Sequence, residues 1–439
     1  MNRSTKMLLA LGLLLHAACA LHAQSDIKEG EVKRIISTLA SDKMRGRKTF
    51  TPDIQRASAF IESEFAKAGL KPLPGEKNFR QEFSVFKLVN TKTDLRINGQ
   101  PAHNKTILRS NNTHLDWTST DSRVEIMNIG PDEDLFKEMG KYLRLQKNAV
   151  IWVDAKHAEQ FAQFQGYLNN NAKEKLDSSH SLLFVLKDNN NANIDNWSLS
   201  VNQRIDKAKL NNVVGILPGR SKSLKGEYVV FSGHYDHLGI IEPNAAKDSI
   251  ANGADDDASG TTAVITLAQH FKKLHNNART LVFVAFTAEE MGGFGSHYFS
   301  HQLDADSVVA MFNIEMIGKE AKFGTNTAFI TGFERSDFGP ILQKNLEGTA
   351  FKFYPDPYPD QHLFYRSDNA TLARLGVPAH TISTDQIDAD KDYHQVTDEV
   401  KTLDIANITK TIQAIALSAQ SIVSGKDTPT RIDKNSVDQ

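Results

Sequence analysis

Five separated stretches of this chain carry residue types that bind divalent metals. They are SGHYDHLG around His234, NGADDDASG around Asp256, FTAEE ending at Glu290, FNIEMIG around Glu315 and DYHQVTDE around His394. Two histidines and three carboxylates are the donors that two zinc ions require if one carboxylate bridges them. Zinc accepts imidazole nitrogen and carboxylate oxygen, and a reactive site leaves one position open for water. The chemistry expected of such a set is hydrolysis. Glu289, beside Glu290, is a spare carboxylate able to serve as the base. Asp236 lies two residues after His234, where it can receive the second imidazole N–H and hold the tautomer. Tyr393, beside His394, can donate to a developing oxyanion.

Taken singly, each stretch has a plainer reading. Asp255, Asp256 and Asp257 ahead of Ala-Ser-Gly can cap a helix and favour its positive end. Three adjacent carboxylates, however, repel one another unless a cation is near. Gly253 and Gly260 on either side would permit close backbone approach. Glu289 and Glu290 follow LVFVAF, and Glu315 is the sole charge in VVAMFNIEMIG. Carboxylates in such apolar runs are costly unless paired or metal-bound.

The elements that must position these residues are legible from residue 211 onward. NVVGILPG, EYVVFSGHYD, RTLVFVAFTAEE, VVAMFNIEMIG, TAFITGF and VPAHTIST read as strands. TTAVITLAQHFKKLH, GFGSHYFSHQL and FGPILQKNLE read as helices, and VKTLDIANITKTIQAIALSAQSIVSG as one long closing helix. Apolar runs alternating with helices imply an α/β fold, a mostly parallel central sheet flanked by helices on both faces. Such sheets bind ligands beyond the carboxyl ends of their strands, and His234, Glu290 and Glu315 each close an apolar run.

Upstream, EVKRIISTLASD and RASAFIESEFAKAGL read as helices joined by MRGRKTF. Residues 95–205 differ in texture, rich in Asn, Asp, Lys and Gln. They carry strand-like AVIWVDA and SLLFVLKD, helical HAEQFAQF between them, and a loop at KDNNNANIDNW. They read as an inserted smaller accessory domain, or else as surface excursions from one domain. The expected organisation is a signal peptide at 1–23, a helical part of the catalytic domain at 24–94, the accessory domain at 95–205, the catalytic domain at 206–424 and a flexible tail at 425–439.

The chain has 439 residues, 24% of them charged, and a formal net charge of −2. No global field draws it to nucleic acid or an anionic membrane. MNRSTK followed by MLLALGLLLHAACALHA has the layout of a secretory signal, so the mature protein is expected in the periplasm or secreted. No later segment is apolar enough to span a membrane. Cleavage is expected at Ala18-Cys19-Ala20 or after Ala23. Cys19 is the only cysteine. A lipid anchor there is the lesser reading, because His16 stands where an aliphatic residue is expected. Cleavage beyond Cys19 removes disulfides and thiol nucleophiles from consideration. Oligomeric state leaves no mark on the pattern.

GADDDASG and AEE at this separation resemble the M28 family of di-zinc aminopeptidases. The resemblance covers roughly residues 206–424 and extends weakly to LASDKMRGR. It implies a zinc-exopeptidase, phosphorylase/hydrolase-like fold, two Zn2+ and peptide substrates cut at the N-terminal bond. Carried over, the first zinc takes His234, Asp256 and Glu315, and the second takes Asp256, Glu290 and His394. Glu289 becomes the general base, Tyr393 matches an oxyanion-stabilising tyrosine of some members, and Asp257 follows a cis peptide. Some members carry an inserted protease-associated domain where residues 95–205 stand. Two positions depart from the pattern. Glu315 replaces an aspartate, which extends the carboxylate by about 1.5 Å, and Asn369 replaces a histidine in a Ser-Asp-His stretch. Alternatives on the same scaffold are a carboxypeptidase or other amide hydrolase, with Arg366 available to a free carboxylate, and glutaminyl cyclase.

Overall fold

A computed structural model describes residues 26–168, 172–176, 179–187 and 194–437, and the expected signal peptide lies outside them. The described residues divide into two compact units, 26–81 with 211–437, and those within 82–210.

The first unit opens with helices α1 (Glu29–Leu39) and α2 (Pro52–Lys67). α1 buries Val32, Ile35, Ile36 and Leu39, the single stripe expected of a helix lying on a core. α2 starts where the Thr51 side chain accepts from Asp53 N, with Pro52 in the first helical position. Gly69, at φ +72°, stops it.

The remaining elements are β1 (the Trp197–Leu217 strand, of which 211–217 belong here), β2 (Tyr228–His234), α3 (Gly260–Leu274), β3 (Thr280–Phe286), α4 (Phe294–Ser300), β4 (Val308–Ile314), β5 (Thr327–Ile330), α5 (Phe338–Asn345), β6 (Lys352–Pro355), α6 (Asn369–Ala373), β7 (Ala379–Ser383) and α7 (Ile405–Ser418). Their order in the sheet is β6-β5-β7-β4-β2-β3-β1. β7, β4, β2 and β3 are mutually parallel, while β1 and β5 join them antiparallel. The α/β expectation therefore holds.

Alternate residues of the central strands enter opposite cores. Val229, Phe231, Leu281, Phe283, Ala310 and Phe312 pack with α1, α2, α3 and α7. Val230, Val282, Val284, Phe286 and Met311 pack with Phe299, Leu372 and Ala373 of α4 and α6. Burial on both faces is why these strands read as unbroken apolar runs. Each fully buried large side chain contributes about 1.5–3 kcal/mol.

Two expectations are corrected. The closing helix is divided, because the Asp404 side chain accepts from Asn407 N and starts α7 at Ile405; a short helix, Gln420–Val423, follows separately. Residues 426–437, within the segment expected to be flexible, are packed. Ile432 and Val437 are buried, Arg279 donates to Asp427 O and Thr428 Oγ1, and Arg431 donates to Val308 O.

The second unit contains a four-stranded sheet in the order Thr106–Arg109, Leu182–Leu186, Asn148–Val153, Val124–Ile129. The last three strands are parallel. Leu135, Met139 and Phe161, from the intervening helices, cover one face. Leu115, Trp117, Trp197 and Leu199 belong to the core on the other.

Candidate metal centre

The sheet brings the sequence-predicted donors to one edge. Ser232 of β2 pairs with Asn313 of β4, so His234 and Glu315, each two residues on, leave their strands at the same level. His234 pairs with Phe286, the last residue of β3, and the Glu289–Glu290 turn follows. The chain reverses direction across the sheet between β3 and β4, which is where α/β sheets open a crevice. Ala288, Met316 and His394 adopt positive φ, at +58°, +50° and +59°. Non-glycine residues hold such backbone only where the surroundings over-determine it.

Asp256 lies in the turn Ala254–Ser259 ahead of α3, and the Asp256–Asp257 peptide is cis. Asp257 ties three elements together. Its carboxylate accepts from His234 N, Gly260 N and Met316 N at 3.0–3.2 Å. Asp398 holds the turn from the other side, accepting from Asp255 N at 2.8 Å and Asp256 N at 3.1 Å. A Cβ at Gly260 would lie 2.0 Å from Ile314 O, and one at Gly253 2.3 Å from Asp256 O; glycine at both positions is what lets the turn close.

Asp256 faces a different histidine with each oxygen. Oδ1 is 3.1 Å from His234 Nε2, and Oδ2 is 3.2 Å from His394 Nε2. Glu290 Oε2 is also 3.2 Å from His394 Nε2. A carboxylate split between two imidazoles is the layout a bridging ligand needs. His234 Nε2 is buried and makes no hydrogen bond despite the nearby oxygen. Its lone pair and that oxygen converge on common space, as donors to one cation do. Glu315 stands beside this set, its carboxylate engaged by Ser367 Oγ and by Asn313 Nδ2. Tyr393 stacks on His394 with centroids 4.0 Å apart. Glu289 donates its backbone N–H to Asp236, and its carboxylate has no hydrogen bond among the described residues.

Asp236 meets both His234 and the glutamate turn. His234 Nδ1 lies 3.2 Å from the Asp236 backbone carbonyl and 3.8 Å from its carboxylate. The carboxylate also accepts from Glu289 N, Glu290 N and Thr49 Oγ1, fixing the turn that carries both glutamates. Asn369 braces the frame, donating to Phe364 O and accepting from Thr381 Oγ1.

Two participants escape the sequence reading. His237 Nδ1 is 2.7 Å from Glu290 Oε1 and 3.7 Å from Asp256 Oδ2, and these three residues form a group able to hold one ion. Its only sequence signal is the His-x-x-His spacing with His234. Arg47, fully buried, donates to the carbonyls of Leu39, Tyr235, Asn252 and Gly253.

The local charge is strongly negative. Burial, joined by the charges of Glu315 and Asp368, pushes Glu289 well above the usual carboxylate range. Burial likewise raises Glu315 to about 7 and Asp236 and Asp368 to about 6. Burial works against ionised Asp256 and Glu290 too, but the neighbouring histidines hold both low, Glu290 at about 2. Buried anions in this number call for cations, and a mixed imidazole and carboxylate donor set suits zinc.

Residues 212–419 match the model of peptidase family M28. This segment belongs to that family. Among curated relatives, leucine aminopeptidase 2 of Trichophyton rubrum is 29% identical over 224 residues, covering 45% of this chain and 44% of that protein. Leucine aminopeptidase 1 of Penicillium rubens is 28% identical over 208 residues, 44% of this chain and 51% of that protein. The chain thus spans about half the length of the curated relatives it matches. An aminopeptidase from Aneurinibacillus sp. strain AM-1 superposes on this chain with a TM-score of 0.60 at 16% identity, covering 94% of this chain and 96% of that one. BSAP, a zinc aminopeptidase from Bacillus subtilis, gives 0.57 at 13% identity, covering 92% and 97%. At these identities the likeness is one of fold.

Proposed function

We propose that this protein is an exported aminopeptidase that uses two zinc ions and a glutamate base to cleave the N-terminal bond of peptides. The observation that carries the reading is Asp256, with one oxygen toward His234 and the other toward His394, which Glu290 also meets. His234, Asp256 and Glu315 would hold one ion, and Asp256, Glu290 and His394 the other. Zinc bound there would polarise the scissile carbonyl and activate water. Glu289 takes a proton from that water and returns it to the leaving amine. Tyr393 donates to the developing oxyanion. The surplus of buried acid, Glu315 and Asp368 included, favours a substrate bearing a free ammonium group. The relatives' names support the activity, and the secretory layout of residues 1–23 supports export. Among the described residues no helix is long and apolar enough to cross a membrane.

The test is an assay on short peptides with free or acetylated N-termini, with and without chelator and added zinc. The expected result is cleavage of the free-amine set alone, lost with chelator and restored by zinc. Equal cleavage of the acetylated set would replace the aminopeptidase reading with an endopeptidase or carboxypeptidase.

A further inference from the structure

Behind the Asp256 turn three further acids converge. One carboxylate oxygen from each of Asp255, Asp385 and Asp390 lies within 4.8 Å of the other two. All three side chains are at most 4% exposed. Hydrogen bonds account for only part of them. Asp255 Oδ1 accepts from Gly318 N at 2.7 Å and from Ser259 Oγ at 3.3 Å. Asp390 Oδ1 accepts from Lys319 Nζ and Asp392 N. Among the described residues no N–H or O–H donor reaches the buried Asp255 Oδ2, Asp385 Oδ1 and Asp390 Oδ2, and the Asp385 and Asp390 carboxyl groups meet each other directly. Lys319 pairs directly with Asp390 and Asp392 and reaches Asp255 and Asp385 only through its field, one positive charge against four carboxylates. Buried, unpaired carboxylate oxygens facing one another are among the most costly arrangements in a protein interior.

We propose that Asp255, Asp385 and Asp390 form a binding site for a hard divalent cation of the calcium class, separate from the histidine-bearing centre. The donors are all oxygen, the preference of calcium rather than zinc. Oxygens within 4.8 Å of one another accommodate an ion at about 2.4 Å from each, with water completing its coordination. The three acids come from the turn before α3, the segment after β7 and the loop leading to Tyr393 and His394. A cation there ties the turn carrying Asp256 to the loop carrying His394, and so braces the catalytic centre from outside it.

The experiment uses the full-length protein, stripped with chelator, reloaded with zinc and titrated with calcium chloride. Bound calcium and Tm are followed together. The expected result is saturable binding of one calcium per chain with a rise in Tm. Asp385→Asn should weaken that binding by about tenfold or more, since affinity follows the count of charged ligands, with zinc content equal to wild type. Asp390→Asn serves as the second variant should Asp385→Asn fail to fold. Absence of saturable calcium binding in the wild type would overturn the proposal, as would calcium binding undiminished in the variants. Asp385→Asn more stable than a calcium-indifferent wild type would show instead that the acids share protons.

Discussion

At the scale of single residues, the proposed centre depends on adjacent side chains having separate duties. Glu290 meets two histidines, while Glu289, one residue earlier, has no hydrogen bond to its carboxylate among the described residues. Glu289→Gln is expected to lower kcat by about 10²–10⁴-fold with zinc content unchanged; steady-state kinetics with metal analysis checks it, and undiminished kcat would remove Glu289 from the base role. Asp256 touches both histidines that the ions would share. Asp256→Ala is therefore expected to abolish tight binding of both zinc ions, whereas His394→Ala should lose one and keep the other. Zinc titration by calorimetry distinguishes them. Retention of both ions in Asp256→Ala would rule out the bridge.

At the scale of elements, two buried side chains hold the strands and turns that present the donors. Phe231 in β2 stacks against Phe283 of β3 at 5.4 Å and Phe312 of β4 at 4.9 Å, and meets Phe271 of α3 at 5.3 Å. Truncation leaves a cavity shared by three strands and a helix. Phe231→Ala should cost about 3–5 kcal/mol, read from the midpoint and slope of denaturant unfolding. Arg47 satisfies four carbonyls, two of them in the segment entering the Asp256 turn. Burial works against its charge, and Asp398, Asp256 and Asp236 favour it. Arg47→Met keeps the volume but strands those carbonyls, so a loss of about 3 kcal/mol or more is expected, with weaker zinc retention. A variant as stable as wild type would show that the carbonyls find other donors.

For the molecule as a whole, acid stability has an identifiable contributor away from the centre. His380 on β7 is fully buried, with Thr331 O at 2.8 Å from Nδ1 and Ser336 Oγ at 2.7 Å from Nε2. Burial pushes it down to about 4, against about 6.5 when unfolded. Above the unfolded value both states are neutral and His380 has no effect on the pH dependence. As pH falls from about 6.5 toward 4 the unfolded chain takes the proton first, so stability is lost, by about 3 kcal/mol in full. Thermal unfolding between neutral pH and pH 4 should therefore be steeper for the wild type than for His380→Gln. Equal slopes would assign the acid sensitivity to other groups.

The donor types and their order along the chain were legible because few residues bind zinc and few carboxylates end apolar strands. His234, Asp256, Glu290 and His394 do meet, and the α/β sheet follows from strands apolar on both faces. Asn313, paired with Ser232, likewise explains why Glu315 emerges beside His234. Periodicity reports only what a segment buries, not which distant group it meets. The clamp of Asp398 on the Asp255 amide spans 143 residues, and that of Arg47 on Gly253 spans 206. Nor did local pattern reveal that His237 would join Glu290, that Asp236 would hold the glutamate turn, or that Arg279 and Arg431 would pin the C-terminal segment. The sequence by itself determined which chemistry was available and on which strands it would sit. The tertiary structure alone decided the pairing of each charge, because a buried carboxylate is stable only beside donors that chain closure, not sequence neighbourhood, brings to it.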